Sequence, residues 1–237
     1  MNVLIVHAHP EPQSFCSAIC TRAHARFRAQ GHQVRVSDLY ASGFNPVAGP
    51  DDFLERQDPD YLVYALEQRH AYEGGTLAPD IRAEVAKLLW CDLLVLNFPL
   101  YWCSVPAILK GWLDRVLISG LVYGGKRFYD RGGMAGKQAL VTLTLGGPAH
   151  LFTPDGVHGP LDEMLRPLLR GTLGYAGFDV MPPWFGWHVP YASPAQREAL
   201  LEAHQRHLDA LAQMQPLRMP RLDAFDERLY PRSPLSA

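Results

Sequence analysis

Three short stretches carry side chains whose types and spacing could do chemistry. Residues 97–116 read NFPLYWCSVPAILKGWLDRV: an apolar run breaks at Pro99 and puts Leu100, Tyr101, Trp102 and Cys103 on a loop before a helix restarts. A plain turn uses Gly, Asn or Asp. Aromatic rings on a loop either form a satellite core cluster or hold a planar heterocycle, here against Trp102. Residues 9–16, HPEPQSFC, run into a helix N-terminus, where unpaired backbone N–H groups and the helix dipole favour an anion. Ser14 there is either a bare N-cap or, with Phe15 and Cys16, part of a pyrophosphate cradle. Residues 145–159, LGGPAHLFTPDGVHG, combine Gly146 and Gly147, whose backbone can approach a ligand closely, with Phe152 and His158. His158 is either an ordinary surface histidine or a proton and charge donor to a ring being reduced.

The elements that position these loops follow from hydrophobic periodicity. NVLIVHAH (2–9), CDLLVLNF (91–98) and KQALVTLTL (137–145) are apolar runs of the kind buried on both faces of a sheet. HQVRVSDLY (32–40) is a further strand. FDVMPPWFGWHV (178–189) opens as a fifth, which Pro182 and Pro183 must end or deform. Ser14 caps a helix that places Phe15, Ile19, Ala23 and Phe27 at helical spacing and stops at Gly31. Other helices are expected at 58–68, at 79–90 with Pro79 in the first turn, at 161–175 and at 193–214. The aromatic loop feeds one more, with Ser104 or its neighbour as cap, Pro106 in the first turn, and Val105, Leu109, Trp112 and Val116 as its apolar stripe. Strands alternating with helices predict an α/β domain with a doubly wound, five-stranded parallel sheet of order 2-1-3-4-5 and helices on both faces. In such sheets ligands bind beyond the carboxyl ends of the strands, and all three loops leave from that edge.

Composition narrows the function classes. The 237 residues suit one domain over 1–214 followed by an extended Pro- and Arg-rich arm, 215–237. A formal charge of −2 argues against nucleic acid as a partner, because phosphate binding needs a basic face. The first residues lack a signal-peptide pattern and no apolar run approaches ~18 residues, so a cytoplasmic chain without a membrane span is expected. Cys16, Cys20, Cys91 and Cys103 have no paired spacing and read as reduced thiols. Cys16, Cys20 and His24 share one helical stripe, which cannot easily wrap a tetrahedral ion, so no metal is expected. GxGxxG and Walker patterns are absent.

Five segments in register carry a resemblance: LIVHAHPEPQSF, SDLYASGFNP (37–46), L-x-P-D-I at 77–81, FPLYWCSVPAILKGWLDRV and TLGGPAHLFTPDGVHG. They resemble the NAD(P)H:quinone oxidoreductases (DT-diaphorases), a flavodoxin-like family that binds FAD in a homodimer, and the match runs from Asn2 to about Phe225. The resemblance implies that His9, Ser14, Phe15 and Cys16 surround the FAD pyrophosphate, with Cys16 standing where the family usually has asparagine. Pro99, Leu100, Tyr101 and Trp102 would line the flavin, and Thr144, Leu145, Gly146 and Gly147 would meet its pyrimidine edge. Tyr64 and Arg197 match positions that reach the cofactor from the partner subunit. Tyr123 and Tyr175 match partner-supplied walls of the substrate cavity, which Trp102, Cys103, Phe152 and His158 also face. Gly125 replaces a second cavity tyrosine and Cys103 a phenylalanine, so a wider pocket is expected.

One departure touches mechanism. The tyrosine that the family pairs with its histidine is Phe152 here, and a phenyl ring cannot donate a proton. His158, with the backbone N–H groups of Gly146 and Gly147, is then left to stabilise the reduced ring. The implied activity is a ping-pong, two-electron hydride transfer from NAD(P)H through flavin N5 to quinones or similar flat acceptors. Two rival readings are a regulatory flavoprotein subunit of a potassium efflux system and a flavodoxin-type electron carrier using FMN. The carrier needs a hydroxyl-rich phosphate loop that HPEPQSF does not supply.

Overall fold

The computed structural model describes residues 1–232; the last five residues of the expected C-terminal arm lie outside the described residues. The strands are β1 (Asn2–His7), β2 (Gln33–Asp38), β3 (Leu93–Pro99), β4 (Gln138–Thr144), β5 (Asp179–Val180) and β6 (Trp184–Gly186). The helices are α1 (Phe15–Ala29), α2 (Tyr64–Gly74), α3 (Pro79–Trp90), α4 (Ala107–Val116), α5 (Leu161–Leu168) and α6 (Pro194–Ala210). The sheet runs β2-β1-β3-β4-β5 with every pairing parallel, which is the expected doubly wound order. A sixth strand exists because the proline pair has no N–H to give. β5 pairs with β4 at Gln138–Ala139, Met181 still donates to the Ala139 carbonyl at 2.8 Å, the ladder breaks at Pro182 and Pro183, and β6 resumes on the same edge opposite Thr142–Thr144.

The strand interiors show why the sheet is covered on both sides. Leu4 and Val6 of β1 and Leu94 and Leu96 of β3 join the core under α2 to α5. Their alternating neighbours Val3, Ile5, Leu93 and Val95 join the core under α1 and α6. Each of these side chains is essentially removed from water, worth roughly 1.5–3 kcal/mol apiece. Close packing also fixes a glycine: a Cβ on Gly111 of α4 would lie 2.2 Å from the Pro46 carbonyl oxygen. Among the described residues no helix is long and apolar enough to cross a membrane.

Several boundaries differ from the expected ones. α2 begins at Tyr64, not in the high fifties, because 57–61 are held as a turn. The Asp58 carboxylate accepts from the Asp60 and Tyr61 N–H groups, and the buried Glu67 carboxylate accepts from Gln57 and Asp58. α4 begins later than expected, with Pro106 at the N-cap and Val105 packing on the core from outside the helix. Ser104 caps nothing; it closes the preceding turn with Tyr101. The 161–175 helix is α only to Leu168. Pro167 lies inside its last turn, and the chain then widens into a π turn over Leu169–Gly174. The arm runs against the domain. The Leu217 N–H bonds to the Val180 carbonyl at 2.8 Å, Leu222 is buried, and its N–H bonds to Asp130 at 3.0 Å.

Candidate active site

Parallel pairing without offset brings three strand ends to one rim. His7 of β1 faces Asn97 of β3, and Pro99 faces Thr144 of β4. The loops after β1, β3 and β4 therefore open side by side.

The first loop is held by a chain of hydrogen bonds whose proton positions can be worked out. The Ser17 hydroxyl donates to the Glu11 carbonyl at 2.9 Å, so it must accept from the Ser14 hydroxyl at 2.9 Å and from His7 Nε2–H at 3.1 Å. His7 Nδ1 accepts from Asn97 Nδ2 at 2.8 Å, so the imidazole is neutral, and burial lowers its pKa accordingly. Ser14 Oγ also accepts from the Ser17 N–H at 3.0 Å, so its hydroxyl is occupied as the N-cap of α1. The Cys16 side chain is buried against Thr144 and Asn97, and burial pushes its thiol up to about 12. Among the described residues the Phe15 and Cys16 N–H groups, the first of α1, have no acceptor. Beside them His9 Nδ1 accepts from the Glu11 N–H at 3.0 Å, leaving a neutral ring its Nε2–H to offer.

The second loop is a two-residue reversal. Tyr101 and Ser104 exchange backbone hydrogen bonds of 3.1 and 2.9 Å, and Trp102 and Cys103 between them take φ of 49° and 56°. Left-handed conformations at two consecutive non-glycine residues cost roughly 1–2 kcal/mol each. In exchange Trp102 stands at the tip with its whole surface in solvent. The loop is not a satellite core cluster, for Tyr101, Trp102 and Cys103 are all exposed.

In the third loop the glycines divide their work. A Cβ on Gly147 would lie 2.6 Å from Phe152 Cε2, so Gly147 makes room for that ring. Phe152 packs against Trp187 at 5.6 Å and carries the exposed His158 ring at 5.0 Å. Gly146 faces open space, with only Pro190 Cγ at 3.9 Å. Its N–H and that of Gly147 have no acceptor among the described residues. Sequence reasoning missed the loop after β6, which braces this shelf. His188 Nδ1–H donates to the Gly146 carbonyl at 3.0 Å, the His188 N–H bonds to Gly147, and the Val189 N–H bonds to Leu145. The aromatic string WFGWHVPY after the proline pair was the available signal.

The remaining candidates sit elsewhere in the chain. Arg197 lies exposed in the first turn of α6, directly after the braced loop. Tyr64 starts α2 with its hydroxyl donating to the buried Asp52 carboxylate and its ring on Phe53; burial and that carboxylate raise its pKa. Arg115 in turn grips Asp52 at 2.6 Å and Asp80 at 2.7 Å. Tyr123 and Tyr175 join Phe128 and Tyr129 in one aromatic cluster, with Phe128 stacked on Tyr175 at 5.4 Å. The candidates therefore form two groups, one at the strand-tip rim and one on α2 and the segments after α4 and α5.

The rim offers amide donors at a helix start, a second pair at a glycine shelf, and an exposed indole between them. That donor set fits a planar heterocycle with an anionic tail, and it contains no ligand cluster for a metal among the described residues.

A family model described as flavodoxin-like fold matches residues 1–211. The mouse ribosyldihydronicotinamide dehydrogenase [quinone] is 41% identical over 217 residues, covering 91% of this chain and 94% of that protein. The rat NAD(P)H dehydrogenase [quinone] 1 is 38% identical, covering 95% and 82%. A solved Klebsiella pneumoniae structure, assigned as a quinone reductase, superposes with a TM-score of 0.93 at 36% identity, covering 98% of this chain and 94% of that one. With free amides, glycine shelf and indole gathered at one rim of the matching sheet, the chain belongs to the flavodoxin-like family of NAD(P)H:quinone dehydrogenases.

Proposed function

We propose that this protein is an FAD-dependent NAD(P)H:quinone oxidoreductase in which reduced nicotinamide and a flat acceptor use one cavity in turn. The observation that carries the reading is that N–H groups without acceptors at Phe15, Cys16, Gly146 and Gly147 and the exposed Trp102 lie on three loops leaving adjacent strand ends. A bound flavin supplies a two-electron redox centre that takes a hydride from one partner and returns it to the other. The chain's own residues do the rest. Phe15 and Cys16 amides and His9 Nε2–H hold the diphosphate, at the positive end of α1. The Gly146 and Gly147 amides would donate to a bound flavin and stabilise negative charge on it. Phe152 holds the His158 ring on the same loop, where a proton on either nitrogen adds to that stabilisation.

FAD rather than FMN follows from the motif resemblance, and so does a homodimer; a cytoplasmic location follows from the unpaired cysteine spacing and the lack of a signal-peptide pattern. The split of the candidates into two groups supports the dimer: Tyr64, Tyr123 and Tyr175 complete a cavity if a partner subunit supplies them. The test begins with the absorption spectrum of the purified protein, its bleaching by NADH or NADPH and its recovery on adding a quinone. Acid release then identifies the flavin. Parallel double-reciprocal lines are expected; a colourless preparation that takes up no flavin overturns the reading.

A further inference from the structure

Away from the strand-tip rim, two cavities of about 460 and about 400 Å³ adjoin where the C-terminal arm crosses α5 and the broken sheet edge. Arg170, Arg218 and Met219 line both, so the two form one continuous groove. The floor is apolar, made by Leu169, Pro182, Pro183, Phe185 and Leu217. The rim is cationic: Arg166 and Arg170 come from α5 and the π turn, and Arg218 from the arm. Among the described residues these three guanidiniums make no ion pair and no side-chain hydrogen bond. The acids that line the groove are Asp162 and Asp223, and Asp223 already pairs with Arg221 at 3.3 Å.

Three local features hold the groove open. The prolines interrupt the pairing with β4 between β5 and β6, and Leu217 of the arm bonds to Val180 beside the break. The π turn, a form concentrated at functional sites, sets Arg170 at the groove. The arm places Met219 against Gly174, where a Cβ would lie 2.6 Å from its Sδ, so the glycine leaves room for that side chain.

We propose that this groove is a second ligand site, for an amphipathic organic anion: an apolar body of small-molecule size bearing a sulfonate, carboxylate or phosphate. The volume suits such a ligand, the floor takes its body, and unpaired arginines take its head by forked, charge-assisted hydrogen bonds.

The test uses the full-length protein as purified and 1-anilinonaphthalene-8-sulfonate as probe, titrated by fluorescence at rising sodium chloride. Wild type should bind, and more weakly as salt rises. The double variant Arg166→Glu/Arg218→Glu should bind at least about tenfold more weakly, while Arg28→Glu, on exposed α1 surface, should bind as wild type. If the charge reversals lower the melting temperature, Arg166→Gln/Arg218→Gln with a tenfold loss still supports the site. Wild-type affinity in both doubles, or no binding at millimolar probe, overturns it. So does a change of association state on size exclusion in the variants, which would make the groove a contact between copies.

Discussion

Replacing His204 with Gln should flatten the acid side of the protein's stability curve. His204 is fully buried on α6, with its ring edge-on to Trp184 at 4.8 Å, Nε2 3.3 Å from Thr142 Oγ1, and Nδ1 without a partner. Burial, with His207 as a smaller cause, pushes its pKa down to about 3. The unfolded chain takes up this proton below about 6.5, whereas the folded chain refuses it until about 3. The neutral form's stability is therefore whole above 6.5 and is lost steadily as pH falls towards 3. Between pH 8 and pH 5 the loss is RT ln(1 + 10^1.5), about 2 kcal/mol, which is large against a typical total of 5–15 kcal/mol. Glutamine keeps a donor for Thr142 and removes the titration. Urea unfolding at pH 8, 6.5 and 5 is the assay. The wild type should lose about 2 kcal/mol more than the variant over that span. His7 and His207 are also shifted down by burial, but both proteins contain them, so the difference isolates His204. Parallel stability curves would refute the reasoning.

Other perturbations bear on the candidate site and the packing that supports it. Cys103→Gly removes a left-handed non-glycine residue and should raise stability by up to about 1 kcal/mol, or roughly 2–4 °C in Tm; a lower Tm would mean the turn is not strained. Gly147→Ala forces Phe152 to shift and should cost about 1–3 kcal/mol, whereas Gly146→Ala, facing open space, should melt as wild type; equal losses would contradict this division. Arg115→Met strands the buried Asp52 carboxylate and should destabilise by about 3–5 kcal/mol in denaturant titration; a loss below 1 kcal/mol would show that Asp52 finds another partner. His158→Gln should slow bleaching by NADH on the order of 100-fold in stopped flow, and an unchanged rate removes His158 from the mechanism.

Much of this architecture is written in local pattern. Fully apolar strands such as Leu93–Pro99, the Ser14 cap and the alternation of elements suffice for the parallel sheet, and the sheet in turn gathers three loops at one rim. The motifs at 9–16, 97–116 and 145–159 carried the family. Other features depend on groups far apart in the chain. α2 starts at Tyr64 because Glu67 reaches back to Gln57 and Asp58. Cys16 was expected beside an anion, yet its thiol packs inward on Thr144 and Asn97, and only its amide is left without a partner. Phe152 reads in sequence as a missing donor; in the fold it fills the space Gly147 leaves and carries His158. WFGWHVPY marks the loop after β6 in sequence, but only packing shows that His188 donates to the Gly146 carbonyl. Periodicity and capping are properties of neighbours along the chain, so sequence alone determined the first five strands, most of the helices and their order. Which face of a loop residue meets solvent depends on packing between segments tens of residues apart, and only the tertiary structure decided that.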